Sequence, residues 1–229
     1  MTRGGPFDQG EGKLWDPVEI EKRSFEIIEG LMSKEWPWPE KALVKRVIHA
    51  TGDPEYAGLL EIHPEAIPAG QEALRRGGPI ITDVKMVQAG LNRKNLEPYG
   101  CKISCFIDEP AIVNLAKESG KTRAALAMDW ALQQLGERLA DSVFVIGNAP
   151  TALFALLALL PEKDTRPALV IGTPVGFVGA SEAKEALRSS GILTSSPGGV
   201  KGGSAVAVAC FNAISGLSGP AWQPNNHER

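Results

Sequence analysis

The stretch Ser142-Val143-Phe144-Val145-Ile146-Gly147-Asn148-Ala149-Pro150-Thr151 indicates how this chain folds. Its first half is a short apolar run, which is typical of a strand buried on both faces of a sheet. Gly, Asn and Pro follow and predict a tight turn. The apolar run from Ala152 to Leu160 comes next and predicts a buried helix. A buried strand, a turn and a helix in this order form the repeating unit of a parallel α/β sheet.

The same alternation of strands and helices continues over most of the chain. The predicted strands are Pro79–Val84, Cys101–Ile107, Ser142–Ile146, Ala168–Thr173 and Ile192–Ser195. The predicted helices are a short one near Met86–Ala89, then Pro110–Glu118, Arg123–Leu139, Thr151–Leu160, Ser181–Ser189 and Ser204–Ser215. This order predicts an α/β fold with a mostly parallel β-sheet and helices on both faces.

N-terminal helices precede this pattern. Asp16-Pro17 is a strong helix entry, because Asp is a good N-cap and Pro suits the first helical position. We expect this helix to reach about Met32 and to turn an apolar stripe toward the core; the stripe consists of Ile20, Ile27, Ile28 and Leu31. Ser24 lies on the same face, where its hydroxyl either donates to the Ile20 carbonyl or contacts a ligand.

Two further helices follow, which completes the expected domain organisation. Pro39 opens the first of them and Gly52 is well placed to end it. The next begins at His63-Pro64-Glu65 and ends at Arg75-Arg76-Gly77-Gly78. We expect residues 16–217 to form a single α/β domain, after a disordered N-terminal segment 1–15 and before a flexible tail 218–229.

His49 falls in the last turn of the helix that Gly52 ends. A helix C-terminus carries partial negative charge and favours an imidazolium. His49 is therefore a candidate for a histidine that holds a donatable proton near neutral pH. A capping histidine that only bonds a terminal carbonyl is the alternative, and helix physics alone leaves both interpretations open.

Small and polar residues follow the predicted strands at their carboxyl ends, where open parallel sheets bind ligands. They are Thr82-Asp83-Val84-Lys85, Ile107-Asp108-Glu109-Pro110, Gly147 to Thr151, Thr173 to Gly179 and Ser195 to Ser204. Three of these turns lead into helix N-termini, whose free N–H groups can hold carboxylates or phosphates. The set predicts a rim for a polyanionic small molecule, although such turns also use Gly, Pro, Asn and Ser for backbone reasons alone.

Composition and cysteine usage indicate which kinds of partner and which cellular compartment to expect. The chain is 43% hydrophobic and 22% charged with a net charge of −3, so it lacks the basic excess of a nucleic-acid-binding protein. No apolar signal segment opens it, and Ala152 to Leu160 is shorter than the roughly 20 residues of a membrane-spanning helix. Cys101 and Cys105 in an extended run would lie roughly 13 Å apart, too far for a disulfide. With Cys210 they indicate reduced thiols in a cytoplasmic protein.

Common cofactor and metal motifs do not match. Lys201 precedes Gly202-Gly203-Ser204, whereas a nucleoside triphosphatase needs Gly-Lys-Ser/Thr in that order. Gly172, Gly176 and Gly179 lack the spacing of a dinucleotide-binding fingerprint. The chain has three histidines, and its cysteines show no metal-ligand spacing. A conventional metal site is therefore not expected.

Six segments carry a family resemblance. They are Arg46–Asp53, Asp83–Gly90, Thr122–Ala125, Gly147–Leu153, Pro174–Lys184 and Lys201–Ala205. Together, and in the family's order, they closely resemble the precorrin-8X methylmutase (precorrin isomerase) family of cobalamin biosynthesis. The chain departs from many relatives at Gly199-Val200, where those relatives carry Gly-Arg, so an arginine contact at this turn is in doubt.

The resemblance implies an isomerase that moves a methyl group from C11 to C12 of a corrin precursor. Precorrin-8X would give hydrogenobyrinic acid, and a substrate that carries cobalt would give cobyrinic acid. No separate cofactor is implied. The family is typically dimeric, so the resemblance also implies a homodimer with its site near the subunit interface.

The residues suit this chemistry. Protonation of a ring nitrogen would draw electron density from the migrating centre, and His49 is the candidate acid. A rigid ring with many carboxylates needs cations, N–H groups and apolar faces. Candidate carboxylate-binding residues are Arg123, Lys201, Ser204, Asn148 and Thr151; candidate ring-lining residues are Met86, Val87, Ala89, Gly90 and Phe177; Ser24 and Thr51 are candidates for orienting His49 or touching the substrate. For Asp83, Asp108 and Lys184 a structural role is expected at least as readily.

Two other functions stay open on the sequence. One is a non-catalytic protein that binds a tetrapyrrole intermediate and escorts it, although the intact His49 argues against it. The other is an α/β enzyme that depends on a nucleotide, such as a methyltransferase. Turnover of precorrin-8 and binding of S-adenosylmethionine or dinucleotides separate these alternatives.

Overall fold

A six-stranded sheet organises the part of the chain that the structure describes. The computed structural model describes residues 16–162, 165–192 and 194–218. The prediction for segment 1–15, and that for the tail beyond Ser218, lie outside the described residues.

The sheet contains strands β1 (Leu60–Ile62), β2 (Ile80–Thr82), β3 (Ile103–Ser104), β4 (Val143–Ile146), β5 (Leu169–Gly172) and β6 (Thr194–Pro197). Their order across the sheet is β1-β6-β5-β4-β2-β3. β1 is antiparallel to β6, and the other neighbours are parallel. The predicted α/β fold with a mostly parallel sheet is therefore confirmed.

Helices cover both faces of this sheet. They are α1 (Pro17–Leu31), α2 (Glu40–Thr51), α3 (Tyr56–Leu59), α4 (Ala66–Arg75), α5 (Lys85–Gly90), α6 (Pro110–Ser119), α7 (Arg123–Leu135), α8 (Pro150–Leu159), α9 (Ala180–Ser189) and α10 (Ser204–Gly216). Within the described ranges, none of these helices is long and apolar enough to cross a membrane.

The central strands are apolar without alternation because both of their faces are buried. Successive side chains of a strand point to opposite faces. Val143 and Val145 of β4 lie in one core with α2, α4 and α10, whereas Phe144 and Ile146 lie in a second core with α7, α8 and α9. The sheet thus separates two hydrophobic cores, and each requires its own layer of helices.

Helix α1 contacts the core through a narrower face than predicted. Three of the four residues of the predicted stripe are exposed, namely Ile20, Ile27 and Leu31. Ile28 is buried, and Phe25 and Met32 pack beside it. The prediction was wrong because α1 lies outside α2, which covers only this strip of it.

Several element boundaries also differ from the predictions. β1 was not predicted from the sequence. It is an edge strand of three residues that directly follows a four-residue helix, and such short elements show no recognisable periodicity. β6 runs from Thr194 to Pro197, beyond the predicted end at Ser195, and its polar residues are buried because α9 and α10 pack against the strand. Helix α7 stops at Leu135, since a 3-10 helix begins at Gly136.

Gly147, at the end of β4, packs against α5 and α10 so closely that a side chain does not fit. An added Cβ would lie 2.9 Å from the Cβ of Ala207 and from the Cα of Ser204, and 3.0 Å from Cγ2 of Val87. We expect Gly147→Ala to lower the free energy of unfolding by about 1–3 kcal/mol, because overpacking forces neighbouring atoms to shift. Urea denaturation measures this change.

Gly30→Ala is the control for this measurement. Gly30 lies in α1, and an added Cβ would meet nothing within 4 Å. This substitution should leave the free energy of unfolding unchanged or raise it by up to about 1 kcal/mol, through helix propensity. Equal losses in both variants would contradict the packing argument.

Candidate active site

The carboxyl ends of the parallel strands β2, β4, β5 and β6 meet at one edge of the sheet, here called the carboxyl edge. Ile146 pairs with Gly172 at the ends of β4 and β5, and β2 and β6 continue the same register. Because β1 runs the other way, its first residue, Leu60, pairs with Pro197 at this edge. The turns after the strands therefore lie side by side, and the chain that follows α2 comes to meet them.

His49 lies in the last turn of α2, as expected. Gly52 ends the helix in the left-handed conformation with φ 66° and donates to the Ile48 carbonyl. The His49 side chain is exposed, whereas Ile48 beside it is buried. Within the described ranges the imidazole nitrogens take part in no hydrogen bond. The ring is therefore open to a ligand, and the structure does not show a capping histidine.

Phe25 of α1 covers one side of the His49 ring. The two ring centroids lie 5.3 Å apart with an angle of 58° between their planes, a tilted arrangement typical of attractive ring pairs. The Arg46 guanidinium and the Lys45 ammonium lie 4.8 and 5.5 Å from the centroid of the same phenyl ring. Both cations are also ion-paired with glutamates of α1. α1 thus supplies the aromatic neighbour of His49 and neutralises the positive charges near it.

The hydroxyls of Ser24 and Thr51 bond to their own helices. Ser24 Oγ donates to the Ile20 carbonyl at 2.8 Å, the local explanation for its position. Thr51 Oγ1 donates to the Val47 carbonyl at 2.9 Å and accepts the N–H of Asp53 at 3.3 Å. Thr51 therefore ties the turn after α2 to the helix that carries His49.

Lys201 joins the turn after β6 to the turn after α2. Its Nζ lies 2.5 Å from Oδ2 of Asp53 and 2.7 Å from Oε2 of Glu55. The hydrogen bond to Asp53, followed by that to Glu55, raises the pKa of Lys201, and Lys201 lowers the pKa of Asp53. Two of the three N–H donors of this ammonium are therefore used by carboxylates of the protein, and the third has no partner among the described residues.

Lys184 of α9 supports this turn from within. Its side chain is fully buried, and Nζ donates to the carbonyl oxygen of Lys201 at 2.5 Å. Burial, together with the smaller effect of the Arg188 charge, lowers the pKa of Lys184 to about 8. Lys184 thus has a structural role, because it holds the backbone at Lys201.

Asp83 occupies the anion-binding position of the turn after β4. Its buried carboxylate accepts the backbone N–H groups of Gly147, Asn148 and Ala149 at 3.1, 2.8 and 2.9 Å. Burial raises the pKa of Asp83, and these N–H bonds act in the opposite direction. The N–H groups that the sequence offered to a substrate carboxylate are therefore taken by a carboxylate of the protein. Asp83 bridges two turns rather than capping α5.

Arg123 and Thr151 lie on the sheet face opposite to α2. Thr151 Oγ1 accepts a hydrogen bond from Thr122 Oγ1 at 2.8 Å, which links the starts of α7 and α8. Arg123 is half exposed, and its guanidinium lies 3.3 Å from the Asp108 carboxylate. Arg123 and Lys117 also line an open depression between α6 and α7. This face therefore offers a second set of cations near the carboxyl edge.

Large apolar side chains project at the carboxyl edge. Phe177, in the turn after β5, is 92% exposed, and Met86 of α5 is 73% exposed. Ala89 and Gly90 of α5 are exposed as well. Val87 differs, since it is fully buried and packs below Gly147. Three of the five candidate ring-lining residues, Met86, Ala89 and Phe177, thus have exposed side chains. Gly90 is exposed, but a Cβ there would lie 2.7 Å from Cγ2 of Val208, so it packs against α10, and Val87 lies in the core.

Two glycines let the turn after β6 lie against the turn after β5. The N–H of Gly203 donates to the Thr173 carbonyl at 2.7 Å. An added Cβ at Gly202 would lie 2.3 Å from the same carbonyl oxygen, so only glycine fits there. Ser204 then begins α10, whose N-terminus carries partial positive charge at the carboxyl edge.

Sequence reasoning missed Asp53, Glu55 and Phe25 as parts of this site. Asp53 lies in a segment that carries the resemblance, but its partner Lys201 is 148 positions away. No local pattern indicates such a pairing. Phe25 follows Ser24 on α1. An aromatic residue beside polar residues on this helix was the sequence signal that could have indicated its role in the site.

A family model covers nearly all of the described chain. The model described as Precorrin-8X methylmutase matches residues 19–217. This range includes the turn that contains Asp53, all four turns of the carboxyl edge and the helix that carries His49.

Individual proteins show the same similarity. A cobalt-precorrin-8 methylmutase of Leptospira interrogans is 41% identical over 211 residues, which cover 87% of this chain and 93% of that protein. A precorrin-8X methylmutase of Sinorhizobium sp. is 40% identical over 203 residues, which cover 87% of this chain and 94% of that protein. The crystal structure of a precorrin-8X methylmutase from Thermus thermophilus has a TM-score of 0.79 at 36% identity, with 88% of this chain and 96% of that chain covered.

The buried Lys184 makes the free energy of unfolding change with pH in the alkaline range. Its pKa is about 8 in the folded chain and 10.5 for an ordinary lysine, so the folded state binds fewer protons between these values. Stability rises with pH wherever the unfolded state binds more protons. We expect the free energy of unfolding to rise from pH 8 to pH 10.5 relative to that of Lys184→Met, by up to about 3 kcal/mol.

Urea denaturation of both proteins at several pH values between 7 and 10.5 measures this difference. Exposed groups that titrate in the same range are present in both proteins and cancel in the comparison. Parallel pH profiles for the wild type and Lys184→Met would show that Lys184 does not titrate as its burial requires.

Proposed function

Since the chain belongs to the precorrin-8X methylmutase family of isomerases in cobalamin biosynthesis, we propose that it catalyses the C11-to-C12 methyl shift with His49 as proton donor. The substrate is precorrin-8X or its cobalt form, and the product is hydrogenobyrinic acid or cobyrinic acid. The position of His49 is the main observation that supports this role. Its imidazole is exposed at the end of α2, and the ion pair of Lys201 with Asp53 joins this helix end to the carboxyl edge.

The chemistry asks for one proton and a fixed ring. His49 donates a proton to a ring nitrogen of the conjugated macrocycle, which draws electron density from C11 and weakens its bond to the methyl group. The methyl group moves to C12 within the same molecule. Because substrate and product are isomers, the proton leaves the ring again and returns to the imidazole. The protein supplies orientation and exclusion of water, which are large parts of such catalysis.

The proposed binding surface combines both faces of the carboxyl edge. Arg123, Asn148, Thr151 and Ser204, together with the free N–H of Lys201, hold the carboxylates, and Met86, Ala89, Gly90 and Phe177 lie against the ring. Ser24 and Thr51 shape the surface beside His49 through their own helices. Val87 contributes from the core beneath this surface.

The same proposal includes a homodimer of a single domain that comprises residues 16–217 and acts in the cytoplasm. Large apolar side chains are exposed along α1, the helix whose Phe25 contacts His49, among them Ile20 at 46% and Ile27 and Leu31 at 55% each. Exposed apolar patches on a helix are typical of contact surfaces. A second subunit placed there would cover His49 and complete a site that one chain leaves open.

Turnover of the substrate tests the proposed function. We expect the purified protein to convert precorrin-8X to the corrin product, followed by the change in its visible absorption spectrum. The cobalt form is assayed in parallel, and the larger kcat/KM identifies the natural substrate. Tight binding of both forms without any spectral change would refute the isomerase and favour the escort protein.

Removal of the imidazole tests the proton donor. We expect His49→Ala to lower kcat by about 100-fold or more while KM stays within a few-fold, because the proton transfer is lost and the binding surface remains. His63→Ala is the matched control, since His63 is also exposed but follows β1 at the opposite edge of the sheet. Wild-type kcat in His49→Ala would exclude His49 as the acid.

A further inference from the structure

We propose that Asp53 is a positioning residue for this reaction: its ion pair with Lys201 fixes the helix end that carries His49 against the turns of the carboxyl edge. This inference rests on the proposed function and adds a residue to which that function assigns no role. Asp53 acts through Lys201 and through α2, without touching the substrate.

The carboxylate of Asp53 is held rigidly on the His49 side. Its Oδ1 accepts the backbone N–H of Glu55 at 3.0 Å, and its Oδ2 takes the ammonium of Lys201 at 2.5 Å. Its own N–H donates to Thr51 Oγ1, whose hydroxyl is bonded to the helix backbone. Both oxygens and the backbone of Asp53 are therefore engaged, and a shift of this carboxylate would move the last turn of α2.

Lys201 is held equally firmly on the side of the sheet. Its carbonyl oxygen accepts a hydrogen bond from the buried Lys184 at 2.5 Å. The carbonyl of the preceding Val200 accepts the N–H of Gly176 at 3.1 Å, which joins the turns after β5 and β6. Lys201 is thus a fixed point of the carboxyl edge rather than a mobile surface lysine.

The other side-chain contacts between these two turns are weaker. Glu55 contacts the same ammonium, but its side chain is 72% exposed, compared with 29% for Asp53. Ion pairs that water surrounds contribute little. The Tyr56 hydroxyl reaches the Gly202 carbonyl only at 3.5 Å. Among the side-chain contacts, the Asp53–Lys201 pair is therefore the strongest link between the turn after α2 and the turn after β6. A backbone hydrogen bond from the Gly198 N–H to the Leu59 carbonyl, at 2.8 Å, joins the turn after β6 to the end of α3, farther from His49 along the chain.

Loss of this link should affect alignment more than affinity. A displacement of about 1 Å at a site of proton transfer lowers the rate by up to about 100-fold. The carboxylates of the ring would still find Arg123 and the polar groups of the other turns. The effect should therefore be seen in kcat, with a smaller change in KM.

Steady-state kinetics of Asp53→Asn, Lys201→Met and the double variant test the proposal, with the substrate form that the wild type turns over. Asp53→Asn keeps the size and one acceptor oxygen but removes the charge. We expect its kcat to fall about tenfold with KM within about threefold. We expect the double variant to have no lower kcat than Lys201→Met alone, because both substitutions break one link.

Glu72→Gln is the matched control. Glu72 is a carboxylate of α4 that likewise contacts two cations, Arg76 at 2.9 Å and Arg75 at 3.6 Å, and it lies near the start of β2, away from the carboxyl edge. This variant should keep the kcat and KM of the wild type. Lys201→Arg, which keeps the charge, should retain most of the kcat that Lys201→Met loses, and it tests the link from the other side if Asp53→Asn does not fold.

Unchanged kcat in Asp53→Asn and Lys201→Met, or losses that multiply in the double variant, would overturn the role of Asp53. A large rise in KM at constant kcat in Asp53→Asn would do the same, because it would assign this residue to substrate binding. Failure of the proposed function would look different, since the wild type would then show no turnover or His49→Ala would keep its kcat.

Discussion

The parallel pairing of β2, β4, β5 and β6 is the constraint on which the rest of this structure depends. Parallel strands need a crossover after each strand, so every strand of this set ends at the same edge and starts a new turn there. Burial of both faces makes β4 and β5 apolar and leaves most of the polar residues for the turns. The antiparallel β1 then brings α2 and its histidine to that edge, because it enters the sheet where the other strands end.

The charged groups of this edge are largely satisfied by the protein itself. Asp83 takes three backbone N–H groups, and Lys201 is shared by two carboxylates. Buried ions without partners are very costly, so such internal pairing is the condition for a rigid polar edge. A polycarboxylate ring therefore meets a surface whose backbone is already ordered, and it is held by the donors that remain. Rigidity of this kind limits the entropy that binding must overcome.

Most of the fold could be predicted, and the failures have clear physical reasons. Long periodic or uniformly apolar segments, such as β4 and α8, were predictable because burial on both sides leaves an unmistakable pattern. β1 has only three residues and leaves no strand pattern, and the polar end of β6 beyond the predicted Ser195 does not resemble a buried strand in the sequence. The exposed apolar face of α1 was predicted to lie on the core. Sequence periodicity shows that one face of a helix is apolar, but it does not show whether another part of the protein covers that face.

By itself the sequence determined the α/β class, the turns that line the carboxyl edge, and His49 near the end of its helix, because these follow from local patterns and colinear motifs. Only the tertiary structure decided which of those groups bond to other parts of the protein and which stay exposed. It assigned the N–H groups after β4 to Asp83, placed Val87 in the core, and paired Lys201 with Asp53 across 148 positions. Such pairings depend on distances in space between segments far apart in the chain, and residue type and spacing do not contain them.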